Sequence, residues 1–326
     1  MARGQGRDDG ETRDGVALTS LDGEVFDGAG VTKRALVDHL DAVADRMLPA
    51  LDGRALTVVR ARPGQAPFMQ KNIPRGAPSW IPTLDVWAET SQRTVHYPLC
   101  TDRRTLLWFG NQRAIEYHPT LVPHGGTHAG ELVVDLDPPP DGGFDLVVAA
   151  ARLVRSALAE LGADAAVKTS GAKGLHLVVP LAAPLGIDDA FAVTRAVCAR
   201  AAALGPDVAT TAFIKEDRGG RVFLDPTRAG GATLVAAYSP RARPGLPVSF
   251  PVAWDDLGAV TPSDFTVTTA AGLLGDTDPW RTLRPPPAVL PDGLVEEGRA
   301  IPVPRVQAMH EGKRRKRARE RGTDPG

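Results

Sequence analysis

The sequence predicts an α+β chain built around a mixed sheet. Three observations carry this. Strands and helices alternate without a strict βαβ period, two apolar strand-like runs end in the same Asp-Pro dipeptide, and a tight GAKG turn joins two further strands. The 326 residues suffice for one large domain or two small ones with a full core. A hydrophobic fraction of 43% and a charged fraction of 24% are those of an ordinary globular protein. Every apolar stretch is broken by Asp, Arg or Gly before membrane-spanning length, and the N-terminus lacks the apolar core of a secretory signal. Cys100 and Cys198 have no metal-ligand spacing and read as reduced thiols, so a cytoplasmic location without membrane contact is expected.

Taken in order, residues 1–14 are polar, Gly-rich and mixed in charge, and predict disorder. A helix follows Thr32, with Leu36, Leu40, Val43, Ala44 and Met47 on one stripe. LTVVRAR predicts a strand, and APFMQKNIPRGAPSWI a loop-rich stretch punctuated by proline. VHYPLC predicts a strand, and TDRRTLLWFGNQRAIEYH a turn and helix reaching His118. Beyond it, ELVVDLDP, AVKTS, LHLVVPL, GRVFLDP and ATLVAAYS predict strands, while FDLVVAAARLVRSALAELG and DDAFAVTRAVCARAAALG predict helices. The reading divides the chain into a part at 15–120, a part at 121–290, and a Pro-rich, basic tail at 291–326, with folded structure ending near Arg284.

The net charge of −1 conceals an uneven distribution. Acids crowd residues 8–14, Asp188-Asp189 and Asp255-Asp256, whereas cations cluster from Arg54 to Lys71, from Arg218 to Arg228, at Arg241 and Arg243, and in the tail KRRKRARER. A basic groove for nucleic acid is compatible with this pattern.

The tetrapeptide Asp135-Leu136-Asp137-Pro138 follows Leu132-Val133-Val134, so alternation puts both carboxylates on one face of a strand. Two adjacent acids repel unless a cation lies between them, although a solvated strand end also accommodates such a pair. The strand Arg221-Val222-Phe223-Leu224-Asp225-Pro226 repeats this grammar. Carboxylates gathered at strand ends suit hard divalent ions, Mg²⁺ or Mn²⁺, and two such ions are a known device for phosphoryl displacement. Between the two Asp-Pro strands lies Ser170-Gly171-Ala172-Lys173-Gly174-Leu175-His176, whose glycines open backbone N–H groups to an anion while Lys173 adds charge. Alone, that stretch reads first as a Gly-rich hairpin, and it lacks the spacing of a Walker loop; its position between the acids favours function. Arg218 and Arg241 have the planar fork that suits a triphosphate, although each taken alone reads first as a solvated surface side chain. His118 reads as a functional group or as a hydrogen-bonded histidine at a helix end.

Taken together, LVVDLDP, TSGAKGLHLVVPL, the FLDP strand and AAYSPRARPGLPVSFPVAWDDL, in that order, resemble the polymerase domain of bacterial ATP-dependent DNA ligase D and its stand-alone relatives, in the archaeo-eukaryotic primase superfamily. The resemblance covers residues 15–290. It implies a mixed-sheet primase-polymerase fold with two α/β parts flanking an active-site cleft, and a DNA-dependent polymerase or primase that adds NTPs or dNTPs in gap filling and repair. By motif, Asp135, Asp137 and Asp225 look like the catalytic metal-binding triad for two Mn²⁺ or Mg²⁺ ions. Ser170, Lys173, His176, His118, Arg218, Thr233 and Arg241 resemble the nucleotide-binding set. Arg60, Phe68 and Lys71 fall where relatives meet DNA; Phe68 either stacks on a base or fills a core.

This chain also departs from its relatives. Ser20, Gly23 and Val59 stand where an Asn and two lysines usually hold a downstream 5′-phosphate, and only Lys33 remains of that set. Ala229 replaces a common Asn. With no ligase or phosphoesterase segment in the sequence, a stand-alone polymerase is expected, with a separate DNA ligase and an end-binding protein as partners. The competing readings are a metal-dependent phosphodiesterase and an inactive DNA-binding scaffold.

Overall fold

A computed structural model describes residues 10–62, 64–88, 92–230 and 232–303, except for the side chains of 229 and 230. The tail KRRKRARER and the Ala229 side chain lie outside the described set. The chain begins with β1 (Thr12–Arg13), β2 (Val16–Ala17), α1 (Lys33–Leu51), β3 (Leu56–Arg62), β4 (Gln65–Gln70), β5 (Thr83–Ala88) and β6 (Arg93–Pro98). It continues with α2 (Arg103–Asn111), β7 (Ala114–Pro119), β8 (His128–Asp137), α3 (Phe144–Ala159), β9 (Ala166–Thr169), β10 (Leu175–Gly186) and α4 (Ile187–Leu204). The last elements are β11 (Ala209–Thr210), β12 (Val222–Asp225), β13 (Pro251–Val252), α5 (Ala270–Leu274), α6 (Pro279–Thr282) and α7 (Leu294–Ala300). The chain divides into a first unit (1–127, 166–173 and 231–284) and a second (128–165, 174–230 and 285–326).

The first unit is organised by α1 and a three-stranded antiparallel sheet ordered β4-β3-β7. Thr32 caps α1, its side chain accepting from the Ala35 N–H, a contact worth about 1 kcal/mol. The stripe Leu36, Leu40, Val43, Ala44, Met47 and Leu51 is fully buried. His39, on the same helix, is buried with its Nε2 2.9 Å from the Tyr238 carbonyl, so that nitrogen carries the proton and donates. Burial holds His39 down to about 4, and its Nδ1 has no hydrogen-bond partner among the described residues. The segment after residue 231 runs beside β7, with the Leu234 and Ala236 N–H groups donating to the Pro119 and Tyr117 carbonyls.

In the second unit, four strands follow the order β11-β12-β8-β10. β11 and β12 are parallel, whereas β12 with β8 and β8 with β10 are antiparallel, so the sheet is mixed as predicted. The apolar faces of α3 and α4 are buried, with Val147, Ala151, Val154 and Leu158 on one helix and Val193, Ala196 and Val197 on the other. Arg200 of α4 grips Glu297 of α7 with two parallel hydrogen bonds of 2.8 and 2.6 Å.

Several expectations are corrected. The helix expected to run to His118 stops at Asn111; Arg113 adopts a left-handed φ of 57°, and Ala114–Pro119 then pairs with β3. The loop expected from Ala66 contains β4, held to β3 through pairs such as Met69 with Val59. ATLVAAYS is no strand: it takes isolated bonds to β7 and the Thr120–Thr233 bridge just beyond that strand. Neither terminal boundary is where composition placed it. β1 lies inside the span expected to be disordered, with Arg13 paired to Asp38 and Asp41. α7 lies beyond Arg284, inside the supposed tail, because its ion pair and the buried Leu294 outweigh the surrounding prolines.

Candidate active site

Strand register assembles the acids of the second unit. Asp225 on β12 stands directly opposite Asp135 on β8, and His176 on β10 stands opposite Asp135 on its other side. Residues opposite one another share a face, and so do i and i+2, so Asp137 joins the same row. Asp135 and Asp225 are buried. His176 Nε2 lies 3.4 Å from Asp135 Oδ1, and Arg228 Nε lies 3.1 Å from Asp135 Oδ2. The Thr227 N–H donates to Asp225 Oδ1 at 2.8 Å, fixing the turn after β12.

The electrostatics of this row are uneven. Burial would raise the Asp135 carboxyl, but His176 and Arg228 outweigh it and hold the group below its ordinary value. Asp137 is pushed up to about 6 by burial and by the charges of Asp135 and Asp225. It opens onto a cavity of about 820 Å³ bordered by Pro138, Asp141, Lys215, Glu216 and Arg218. Arg218 lies over the Phe223 ring at 4.0 Å and donates to the Ala212 and Phe213 carbonyls. Three oxygen-donor side chains on one face, mutually repelling, form a donor set of the kind hard divalent ions take. Among the described residues, no group of three or more His, Cys, Asp or Glu is placed as a closed metal site.

The first unit carries a second cluster, centred on Glu116, a residue to which the sequence reading gave no role. On β7, Glu116 and His118 share a face while Ile115 and Tyr117 fill the core. Glu116 Oε2 lies 2.7 Å from His118 Nε2 and 3.0 Å from Arg241 Nε, the latter an ion pair without the alignment of a hydrogen bond. The Ala242 N–H donates to Glu116 Oε1 at 2.8 Å. Burial alone would raise Glu116, but His118, Arg241 and the Ala242 amide bring it down to about 2. Arg241 Nη1 also donates to the Ser170 carbonyl at 2.7 Å, so His118, Ser170 and Arg241 form one network. The close packing there requires glycine at 171. Its φ is 66°, and a Cβ would lie 2.6 Å from Arg241 Cγ and 2.9 Å from the Ser249 amide. Gly174, in the second unit, is fixed equally hard, since a Cβ would meet the Leu136 carbonyl at 2.1 Å. Lys173 is exposed on this turn, and Thr233 is half-buried at its bridge to Thr120.

Of the candidate DNA-contacting residues, Arg60 and Phe68 stand opposite one another on β3 and β4. Lys33 is buried and its ammonium donates to the Thr19 carbonyl. Arg60 is buried with bonds to the Gln112 carbonyl and the Gln70 side chain. Phe68 is half-buried with Arg62 over its ring at 4.9 Å, and Lys71 is exposed. Alternation over Ile115–His118 is the signal that would have singled out Glu116. For Arg228 the sequence offered its place in the basic cluster from Arg218 to Arg228 and its closeness to Asp225, and no link to Asp135.

A mixed sheet carrying a row of carboxylates at its strand ends, in a chain that also carries a Lys- and His-bearing glycine turn, defines an α/β domain fitted for chemistry on phosphates. Comparison with known proteins makes this specific. The family profile "LigD, primase-polymerase domain" matches residues 32–280, and the chain belongs to that family. The bifunctional non-homologous end joining protein LigD of Bacillus subtilis is 31% identical over 259 residues, 78% of this chain and 41% of the relative. The multifunctional LigD of Mycolicibacterium smegmatis is 32% identical over 251 residues, 74% of this chain and 32% of the relative. The chain thus spans well under half the length of these relatives. The polymerase domain of Mycobacterium tuberculosis ligase D, solved in complex with DNA, superposes with a TM-score of 0.73 at 28% identity, covering 88% of this chain and 99% of that one. No helix among the described residues is long and apolar enough to cross a membrane.

Proposed function

We propose that this chain is a DNA-dependent nucleotidyl transferase that extends a primer or fills a gap with NTPs or dNTPs in end-joining repair. The observation that carries this reading is the strand register that sets Asp225 opposite Asp135 with Asp137 two residues along, at the cost of pushing Asp137 up to about 6. A binding scaffold for DNA gains nothing from such a row, because clustered negative charge repels phosphate. Asp135, Asp137 and Asp225 would hold two divalent ions, Mn²⁺ or Mg²⁺. When bound, these supply the positive charge that acidifies the attacking hydroxyl and offsets charge on the departing pyrophosphate.

The other residues bind and orient. Arg218 is aimed by its two backbone acceptors and the Phe223 ring, leaving its fork beside the cavity at Asp137 to meet a phosphate. His118 and Arg241, fixed by Glu116, and Lys173 on the Gly171–Gly174 turn supply donors for a nucleotide's phosphates, with Thr233 toward its sugar. His176 orients Asp135. A separate DNA ligase and an end-binding protein would complete the repair.

The test is primer extension on a template with NTPs and with dNTPs, in Mg²⁺ and in Mn²⁺. Template-directed addition with stoichiometric pyrophosphate release is expected. Shortening of the primer without added nucleotide would establish a phosphodiesterase in its place.

A further inference from the structure

Both oxygens of Asp135 already have partners, and the two partners differ in kind. On Oδ1 stands His176, 3.4 Å away, carried by β10 directly opposite Asp135 and almost fully buried. It moves only if the sheet moves. On Oδ2 stands Arg228, 3.1 Å away through Nε alone, carried on the short 3-10 turn Thr227–Gly230 that follows Asp225. Its side chain is 37% exposed, and one contact through Nε is weaker than the bidentate grip the same group makes elsewhere, as at Arg200 and Glu297. A cation entering the carboxylate row therefore meets one fixed partner and one replaceable partner on Asp135.

We propose that Arg228 is the resident counter-charge of the carboxylate row: it pairs with Asp135 in the metal-free protein, yields that oxygen to an incoming divalent ion, and so sets metal affinity. The proposal rests on the reading of Asp135, Asp137 and Asp225 as metal ligands. Its physical basis is competition. An ion that takes Asp135 must first break the Arg228 pair, and once bound it repels the displaced guanidinium. Arg228 stabilises the metal-free protein and opposes the metal-bound one, opposite signs that a purely structural arginine would not show.

The experiment is titration of the full chain with Mn²⁺, following the free ion by electron paramagnetic resonance, with thermal melting of the same samples. Wild type is compared with Arg228→Gln, Arg228→Lys and Asp137→Asn. Arg228→Gln is expected to bind Mn²⁺ about tenfold more tightly, about 1.4 kcal/mol, while Arg228→Lys stays near wild type. Without metal, Arg228→Gln melts lower than wild type; its rise on saturation with Mn²⁺ is larger than that of wild type. Unchanged or weaker Mn²⁺ binding by Arg228→Gln, with Asp137→Asn having lost binding, overturns the role of Arg228 alone. Wild-type affinity in Asp137→Asn overturns the metal reading beneath it. If Arg228→Gln fails to fold, Arg228→Met, which keeps most of the stem and removes the charge, is read by the same criteria.

Discussion

Glu116 in the first unit and Asp137 in the second meet burial in opposite ways. In the first, Glu116 sits among compensating groups: His118, Arg241 and the Ala242 amide surround it and lower its pKa to about 2. In the second, Asp137 is surrounded by burial and like charge, and is pushed up to about 6. A satisfied carboxylate holds its neighbours in place before any ligand arrives. An unsatisfied one keeps part of its interaction energy for a cation still to come. One cluster is organised to position, the other to bind.

Substitutions can break this contrast, and the largest effect is expected at Asp137. Asp137→Asn should reduce nucleotide addition about a thousandfold, as loss of a charge-stabilising group in an active site does. In metal-free buffer the same change should raise the melting temperature by about 2 °C, because it relieves repulsion. A lowered melting temperature would show that Asp137 is satisfied after all.

The opposite sign is expected at Glu116. Glu116→Ala leaves Arg241 without its carboxylate and His118 without its partner, and should cost about 3 kcal/mol in denaturant unfolding. Glu116→Gln keeps an acceptor, should cost less, and should raise the KM for the nucleotide more than it lowers kcat. A kcat effect without a KM effect would move Glu116 from positioning to chemistry.

A third test sharpens the comparison through pH. His39 is neutral in the folded chain and held to about 4, whereas an unfolded histidine titrates near 6.5. Between those values the unfolded chain takes up a proton that the folded one refuses. The stability contributed by neutral His39 is full above about pH 6.5, falls as pH drops, and is lost by about pH 4, a change of about 3 kcal/mol. The difference in unfolding free energy between wild type and His39→Gln, measured at pH 7, 5.5 and 4, should shrink by that amount.

The smallest effect concerns gapped substrates. Ser20 and Gly23 supply no cation, and the Lys33 ammonium is buried against the Thr19 carbonyl. Exchanging a 5′-phosphate for a 5′-hydroxyl on the downstream strand should therefore change affinity and extension rate less than tenfold, under about 1.4 kcal/mol. A larger preference would assign phosphate recognition to Arg34, which is paired with Glu11 and Asp22.

Much of this architecture was legible in the residues. Thr32 ahead of a 3.6-residue stripe marks α1, and alternation before Pro138 puts Asp135 and Asp137 on one face. What local pattern could not supply was register. That Asp225 lies opposite Asp135, and that Arg228 reaches the same carboxylate, depends on which strands pair. Glu116 was obscured by a boundary error: carrying the helix through His118 hid the alternation of a strand. α7 was obscured by composition, because prolines and charges on either side masked a short helix anchored by Arg200.

The discontinuous first unit has a consequence for the chain as it is made. Glu116 belongs to its first segment and Arg241 to its last, and Ala242, which also binds the carboxylate, lies 126 residues downstream. At ordinary synthesis rates that interval is roughly 6–25 s. Throughout it, β7 can pair with β3, yet the carboxylate between them and their future neighbours has no arginine to meet. The nascent chain therefore carries its positioning centre half-made until Arg241 and Ala242 have been added. A substitution at Arg241 would make that half-made state permanent.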